Sequence, residues 1–425
     1  MLNLVLLVVC LAFCLFLIKR HSFFASNTIN RNQLIGFFGF KLFIAIVLWF
    51  IYTYYYTDRT TADIFRYFDD ALVLFRNRAS HPDFFYKCLF GLPIDHQQYN
   101  ALYDEMNNWN HRSEFQLFKD SHLLIRLNTV FCFFTNGFYP IHLLIFTFLG
   151  FVGTIGIFKV GEKFMPDSAK LFLVLVFFTP SILLWTAGIL KETILFFFIG
   201  LGLTQLTRNT PNWILFCLCY IGIWLTKPLI AYLGFLPLLV MLPPVRTWIH
   251  RSVYNYFTTL IICILIGYTL LFQPHFNCFE VLQHKQSEFL QLAKISKTTI
   301  GLPALTENHS TLFIGSFQAI KNALFEPFRP QKGILVLLTI VENWFFLGIC
   351  LYFCFQFLQL KTKFWPQNSL LLACFLFVFP LLLIIGFTTP VVGALVRYRI
   401  PAIPFLYLGF ISLIRKDNGV SKLIP

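Results

Sequence analysis

Long apolar runs alternate with short polar and basic breaks along most of the chain. Two longer polar stretches, at 57–140 and 273–332, interrupt this series. The pattern predicts an all-α polytopic membrane protein with about eleven transmembrane helices and two long outer loops, forming one integral membrane domain over 1–425. The predicted spans lie at about 1–18, 42–56, 141–160, 170–186, 193–207, 213–225, 229–242, 257–272, 333–358, 369–387 and 401–414.

Composition and charge placement agree with this layout. Hydrophobic residues make up 57% of the chain and charged residues 12%, with a mean hydropathy of +0.71, which is far from the composition of a soluble domain. The net charge of +14 is scattered between apolar runs, so no nucleic-acid partner is expected. The predicted inner segments hold fifteen basic residues against three acidic ones, among them Lys19, Arg20, Arg31, Lys41 and Lys159. The positive-inside rule then predicts that both long loops lie outside.

The sequence lacks the motifs that are typical of several enzyme classes. There is no Gly-rich nucleotide loop, Ser-His-Asp arrangement or His-Glu-x-x-His motif, which argues against ATPases, hydrolases and zinc proteases. The eleven cysteines lie mostly inside apolar runs and are interpreted as small hydrophobic residues. Cys88 and Cys278 fall in polar parts of the predicted outer loops, so a disulfide between them stays open. The basic residues follow the first apolar run, which predicts a retained span with its N-terminus outside.

The first candidate site lies in the first outer loop, which carries ten of the 19 acidic residues. A helix there would have one polar face, consisting of Asp63, Arg66, Tyr67 and Asp70, and one apolar face. We expect it to lie on the membrane surface with its carboxylates in water and its rings in lipid. Asp63 and Asp70 are roughly 10 Å apart along the helix. This spacing suits one carboxylate as a base and the other as a ligand for a sugar hydroxyl or a cation, although a helix with merely solvated charges is the alternative.

Two further motifs carry charge near the predicted outer face. Lys191 and Glu192 end a Pro-Ser-x-x-x-Trp-x-x-Gly-x-x-Lys-Glu run, and they fit either a site or a snorkelling helix end. Arg397 and Arg399 stand at the start of the last span, against the charge bias. The planar fork of arginine matches phosphate oxygens, so a phosphate at the outer leaflet would explain them, with headgroup anchoring as the alternative. Glu342, inside a predicted span, either lines a site or bonds a neighbouring helix.

The acidic first outer loop, the many spans and the late Arg-Tyr-Arg-x-Pro motif resemble the GT-C class of membrane glycosyltransferases, particularly bacterial members related to the protein mannosyltransferases. The resemblance implies transfer of a sugar from a polyprenyl-phosphate carrier to a glycan, lipid or protein acceptor at the outer face of the bacterial inner membrane. In that family an acidic residue of the first outer loop serves as the base, and the matching position here is Asp63 or Asp70. Adjacent Asp69 and Asp70 replace an Asp-x-Asp motif, so dependence on a divalent cation stays open.

The candidate residues have the side chains that such a transfer requires. An outward site needs a lipid-borne donor, because nucleotide sugars are not expected outside the inner membrane, and a phosphate leaving group needs cations more than a general acid. Asp63 is expected to deprotonate the acceptor hydroxyl. The substrate-binding candidates are Arg397, Arg399, Lys191, Glu192, Tyr67 and Arg66. This hypothesis requires the outer carboxylates and the arginines to meet in one crevice.

Three other functions stay open. One is a scaffold for an envelope assembly, for which no outer charge would matter to activity. A polysaccharide polymerase or ligase would also use outer arginines, in that case on a lipid diphosphate. A flippase or transporter of lipid-linked glycans would predict pseudo-symmetric halves, and the sequence shows no internal repeat.

Overall fold

The computed structural model describes residues 1–425 except 57, 61, 95–97, 110–120, 272–277, 297, 306–308, 329–333, 360–367 and 415–425. Three carboxylates of the predicted first outer loop, Asp95, Glu114 and Asp120, lie outside the described residues. The side chain of Cys278 does so as well, and its disulfide with Cys88 therefore stays open.

The described part of the chain is all-helical, with no strand and one isolated antiparallel bridge between Thr299 and Val391. The α-helices are α1 Leu2–Arg20, α2 Arg31–Phe50, α3 Asp63–Arg76, α4 Pro82–Phe90, α5 Asn100–Asp104, α6 His122–Thr135, α7 Tyr139–Phe164, α8 Ala169–Phe178, α9 Pro180–Trp185, α10 Lys191–Thr207, α11 Trp213–Thr226, α12 Pro228–Met241, α13 Pro243–Arg251, α14 Val253–Leu271, α15 Cys278–Ile295, α16 His309–Phe325, α17 Ile334–Gln359, α18 Ser369–Thr388, α19 Val392–Arg399 and α20 Ile403–Ile414.

Local chemistry accounts for several helix ends. The Asn30 side chain accepts the Gln33 N–H and the Gln33 side chain accepts the Asn30 N–H, a capping box that begins α2. α6 ends at Asn136, whose left-handed backbone is a common way to stop a helix. Pro228 and Pro243 begin α12 and α13, because proline fits the first turn of a helix but not its interior.

Five helices in the described residues are long and apolar enough to cross a membrane: Leu2–Arg20, Arg31–Tyr55, Tyr139–Phe164, Leu335–Gln356 and Ser369–Thr388. The number rises to seven if two bent pairs each form one span. These pairs are α12 with α13, bent by 62°, and α19 with α20, bent by 52°. Helices lie in all the predicted span regions, but the count of eleven and the outer position of the two loops stay predictions.

The chain divides into two compact units. The first comprises Met1–Ala169 and Ile182–Ala231, and the second comprises Lys170–Ser181 and Tyr232–Pro425. The boundary within the Pro-Ser-to-Lys-Glu run falls between Ser181 and Ile182. That run therefore contributes its beginning to the second unit and its Lys191–Glu192 end to the first. The single membrane domain predicted over the whole chain stays a prediction.

Helix α7 is the centre of the first unit, where it packs against α1, α2 and α10. It runs parallel to α10 at very close range, since a Cβ on Gly153 would collide with the Phe196 backbone and one on Gly200 with the Gly153 backbone. Small residues allow two helix backbones to approach in this way, and van der Waals contact then holds them together. α10 in turn packs against α11.

The two ends of α7 meet different neighbours in the first unit. Near its C-terminal end, Glu162 Oε1 accepts hydrogen bonds from the Ser26 hydroxyl and from the N–H and hydroxyl of Thr28, in the loop between α1 and α2. Near its N-terminal end, the Tyr139 ring lies 5.1 Å from that of Phe68 on α3. The basic residues around the α1–α2 loop and the acid-bearing α3 therefore lie at opposite ends of α7.

The prediction for Lys41 as an inner-surface cation is wrong. Lys41 is 1% exposed in the interior of α2, and its Nζ donates to Thr186 Oγ1 at 2.5 Å. A buried ammonium group needs such a polar partner, and Thr186 lies just after the short helix α9, where carbonyl groups favour a cation. Lys41 thus holds α2 to the helix break before α10 instead of marking a membrane boundary.

Helix α18 is the centre of the second unit. It packs against α15, α16 and α20, and a Cβ on Gly386 would collide with the Ala319 backbone of α16. The Ile300 N–H donates to the Pro390 carbonyl at 2.9 Å, which fixes the segment that enters α19.

Candidate functional site

Helix α3 covers the acidic stretch for which the sequence predicts a helix, and it begins at Asp63. A carboxylate in the first turn is favourable because it faces the positive end of the helix dipole. The candidate span Arg31–Tyr55 ends a few residues earlier in a tyrosine-rich segment, where Tyr54 and Tyr55 are exposed. Tyrosines concentrate at membrane boundaries. Asp63 therefore follows closely on the end of an apolar helix.

The two candidate carboxylates of α3 differ in their surroundings. The Asp63 side chain is 28% exposed, and its Oδ1 lies 3.6 Å from Arg66 Nη1. Asp70 is 0% exposed, and its two oxygens accept the backbone N–H groups of Asn107 and Asn108, each at 2.8 Å. The prediction that the α3 carboxylates face water is thus wrong for Asp70, because a second chain segment covers it.

Burial also changes the acidity of Asp70. It raises the pKa of the carboxyl group from 3.8 to about 6, while the N–H donors of Asn107, Asn108 and Trp109 and the positive charge of Arg66 act in the opposite direction. Asp70 therefore serves to bind the backbone of the segment that covers it. Asp63 is the more accessible of the two carboxylates and is the better candidate for a base.

The other polar residues of this face take part in the same arrangement. Arg66 Nη2 donates to the Asn107 carbonyl at 2.9 Å, so Arg66 and Asp70 bind the same segment. Tyr67 is buried, with 3% of its surface exposed. The apolar side of α3 contacts protein too, since Phe68 packs edge-on against Tyr139 and His142. The prediction that the α3 rings rest in lipid is therefore wrong for Phe68.

The adjacent Asp69 and Asp70 do not form a common site. Asp69 receives two hydrogen bonds from the Arg59 guanidinium, at 2.8 and 2.6 Å, whereas Asp70 binds backbone amides. Within the described residues, no group of three or more His, Cys, Asp or Glu side chains is placed to hold a metal ion. Dependence on a divalent cation stays open.

The Lys191–Glu192 pair at the start of α10 divides into two different environments. Lys191 is half-buried, and its Nζ lies 5.7 Å from the centre of the Tyr67 ring. Glu192 is 0% exposed, and its Oε1 is 2.9 Å from Nζ of Lys227 at the end of α11. The structure thus brings Lys191 to the face of α3 that carries Asp63 and ties Glu192 to a neighbouring helix.

In the second unit, Arg397 and Arg399 also lie in different environments. Arg399 is 2% exposed, and its Nη2 donates to Glu342 Oε1 at 3.1 Å and to Asn343 Oδ1 at 2.7 Å. Arg397 is half-exposed. Of the two alternatives for Glu342, bonding to a neighbouring helix is the one observed.

The structure therefore groups six of the eight predicted site residues in the first unit: Asp63, Arg66, Tyr67, Asp70, Lys191 and Glu192. Arg397 and Arg399 belong to the second unit, and their meeting with the carboxylates in one crevice stays a prediction. Sequence reasoning missed Lys227 as the partner of Glu192. The only signal was a Lys-Pro pair after an apolar run, which indicated a cation near the outer face but no partner.

Comparison with known proteins adds no relative to this geometry. No protein-family model, curated protein or solved structure matches the chain.

Proposed function

We propose that the protein is a glycosyltransferase of the bacterial inner membrane that moves a sugar from a polyprenyl-phosphate carrier to a glycan, lipid or protein acceptor on the outer face. One observation carries the proposal. The partly exposed Asp63 lies one helical turn before Tyr67 on α3, the Lys191 ammonium lies 5.7 Å from the Tyr67 ring, and α3 follows closely on the end of an apolar helix. A base and a cation near lipid are what this transfer needs.

The reaction assigns a separate role to each of these groups. The Asp63 carboxylate accepts the proton of the acceptor hydroxyl, whose oxygen forms a bond to the anomeric carbon of the sugar. The bond from that carbon to the phosphate oxygen breaks, and the polyprenyl phosphate leaves with the electron pair. Lys191 stabilises the negative charge on the leaving phosphate. Arg397 stays a phosphate contact predicted from the sequence, whereas the buried Arg399 guanidinium is bonded to Glu342 and Asn343 and does not take that role.

Position in the membrane is part of the same proposal. The acid-bearing end of the first unit lies at the outer face, and the basic α1–α2 loop lies in the cytoplasm, as the positive-inside rule requires. The lipid-linked donor reaches the outer end through the bilayer, and its prenyl chain lies against the exposed apolar helix surfaces.

The test is a transfer assay on purified protein in proteoliposomes, with a radiolabelled polyprenyl-phosphate sugar and an envelope extract as the acceptor. We expect Asp63→Asn to lower kcat by about 10²-fold or more, because general-base catalysis contributes that much. Asp104→Asn, which changes an exposed carboxylate at the end of α5, is the matched control and should act like wild type.

Lys191→Met should weaken transfer and Lys191→Arg should restore part of it, because the arginine keeps the charge. A wild-type rate for Asp63→Asn would refute the proposed base. Activity with a lipid-diphosphate oligosaccharide, and not with the monophosphate donor, would instead identify a polymerase or ligase. Movement of the labelled lipid across the bilayer without transfer would identify a flippase.

A further inference from the structure

Glu342 joins three parts of the second unit that are far apart in sequence. It lies inside the candidate span Leu335–Gln356 and is 3% exposed. Its Oε1 accepts a hydrogen bond from Arg399, and its Oε2 accepts the backbone N–H of Ser181 at the start of α9. Both carboxylate oxygens are thus used inside the protein. One side chain therefore connects the Pro-Ser run with the Arg-Tyr-Arg motif.

Arg399 extends this connection to a fourth helix. Its Nη1 donates to the Leu324 carbonyl at 3.0 Å, near the end of α16, where the negative end of the helix dipole favours a cation. Its Nη2 is shared between Glu342 and Asn343. Because the guanidinium group is planar, these acceptors fix its orientation as well as its position. The last residue of α19 is held in one geometry.

The direction of Arg397 follows from this anchoring. α19 has eight residues, and two residues that are two positions apart on a helix point about 200° from each other. Arg397 therefore lies on another side of α19 than Arg399, and its side chain is partly exposed, with Nε buried, while Arg399 is buried. The bond between Ile300 N–H and the Pro390 carbonyl holds the other end of α19.

We infer that Glu342 is a positioning residue: through Arg399 it fixes the rotation of α19 and thereby presents Arg397 to an anionic group, the phosphate of the lipid-linked donor. This inference rests on the proposed function for the identity of the anion. An ion pair in an apolar interior gives little net stability, since both ions lose hydration, so its benefit here is orientation. A purely stabilising contact at this place would need neither charge nor a planar fork.

The experiment measures the motion of α19 and the use of the donor separately. Glu342→Gln keeps the size and the acceptor oxygen but removes the charge. Glu280→Gln on α15 is the matched control, an exposed glutamate in the same unit. Hydrogen exchange is followed in peptides covering 389–400, and Arg397 reactivity is followed with phenylglyoxal and mass spectrometry.

For Glu342→Gln we expect α19 amides to exchange about tenfold faster, because a charged hydrogen bond is weakened. The rate of Arg397 modification should change in parallel, while α18 peptides exchange as in wild type. In the transfer assay the KM for the polyprenyl-phosphate sugar should rise about tenfold with kcat nearly unchanged, which general destabilisation would not produce. Arg399→Lys keeps the charge but loses the fork, and it should shift both readings in the same direction if Glu342→Gln fails to fold.

Unchanged exchange of α19 in both variants would overturn the inference, and so would faster exchange with an unchanged KM. The exchange and labelling measurements need no substrate. If wild type transfers no sugar while α19 loosens in Glu342→Gln, the proposed function fails and the positioning of Arg397 by Glu342 stands. These two failures are therefore distinguishable.

Discussion

Replacing Asp70 by Asn should remove a pH dependence from the first unit. Burial raises the pKa of Asp70 from 3.8 to about 6, so the folded protein binds this proton more tightly than the unfolded chain does. A raised pKa contributes stability that is complete below about pH 4 and is lost as the pH rises through 6. The contribution corresponds to about 3 kcal/mol.

The structure indicates where this free energy acts. Asp70 binds the N–H groups of Asn107 and Asn108, so its protonation state affects the opening of this segment away from α3. Amide hydrogen exchange of 105–109 measures that opening directly. Wild type and Asp70→Asn are compared at equal pH between 4 and 7.5, which cancels the intrinsic pH dependence of exchange. Since asparagine does not titrate, the variant should show a flat opening free energy.

We expect the opening free energy of wild type, relative to the variant, to fall by about 2.5 kcal/mol from pH 4 to pH 7. Asp104→Asn, which changes an exposed carboxylate of the same region, should keep the wild-type profile. Parallel profiles for wild type and Asp70→Asn would refute the assignment of a raised pKa to this group.

Three further changes test the packing of the first unit, each by thermal unfolding in detergent. Lys227→Met should destabilise the folded protein by about 3–5 kcal/mol, since it removes the cation beside the buried Glu192. Adding Glu192→Gln should recover most of this loss, and additive costs of the two substitutions would contradict the ion pair. Gly153→Leu should lower the free energy of unfolding by about 3 kcal/mol or more, because the new side chain would collide with α10. Gly36→Leu should be neutral, because the space beside Gly36 is open. Equal effects would contradict the close α7–α10 contact. Glu162→Gln should cost about 1.5 kcal/mol, and an unchanged midpoint would show that its bonds to the α1–α2 loop are not stabilising.

Local signals in the sequence predicted the helical elements well. Apolar runs and the charges that separate them correctly indicate helices in the span regions, and α3 covers the acidic stretch for which the pattern predicts a helix. Breaks inside a run are harder to see. The sequence predicts one span over 170–186, yet α8 ends at Phe178 and α9 starts at Pro180, because a proline starts a new helix more readily than it continues one.

The environment of single charged residues could not be predicted in this way. Asp70 is buried by Asn107 and Asn108, which lie 37 and 38 residues further along the chain. Lys41 is bound by Thr186, 145 residues away, and Glu342 by Arg399, 57 residues away. Helical periodicity assigns a side chain to a face of its own helix, but the covering of that face depends on remote segments that no local pattern describes.

Each of the three charged motifs nevertheless follows one physical rule. In each motif one member is buried and bound inside its unit, and the other is at least partly exposed. The buried members are Asp70, Glu192 and Arg399, and the accessible members are Asp63, Lys191 and Arg397. A buried charge must find partners, so it fixes the end of a helix or a neighbouring segment, and its companion in the motif is thereby held in a defined direction.

This rule predicts opposite consequences for the two kinds of residue. Neutral isosteres of the buried members should change hydrogen exchange and thermal stability first. Those of the accessible members should change both to a smaller extent and lower transfer. We would measure melting temperature and transfer rate for Asp63→Asn and Asp70→Asn side by side. The two carboxylates lie on the same helix and are replaced by the same residue, so the variants are directly comparable. A loss of stability in Asp63→Asn equal to any change in Asp70→Asn would show that the carboxylates have the same structural role, and the choice of Asp63 as the base would lose its support.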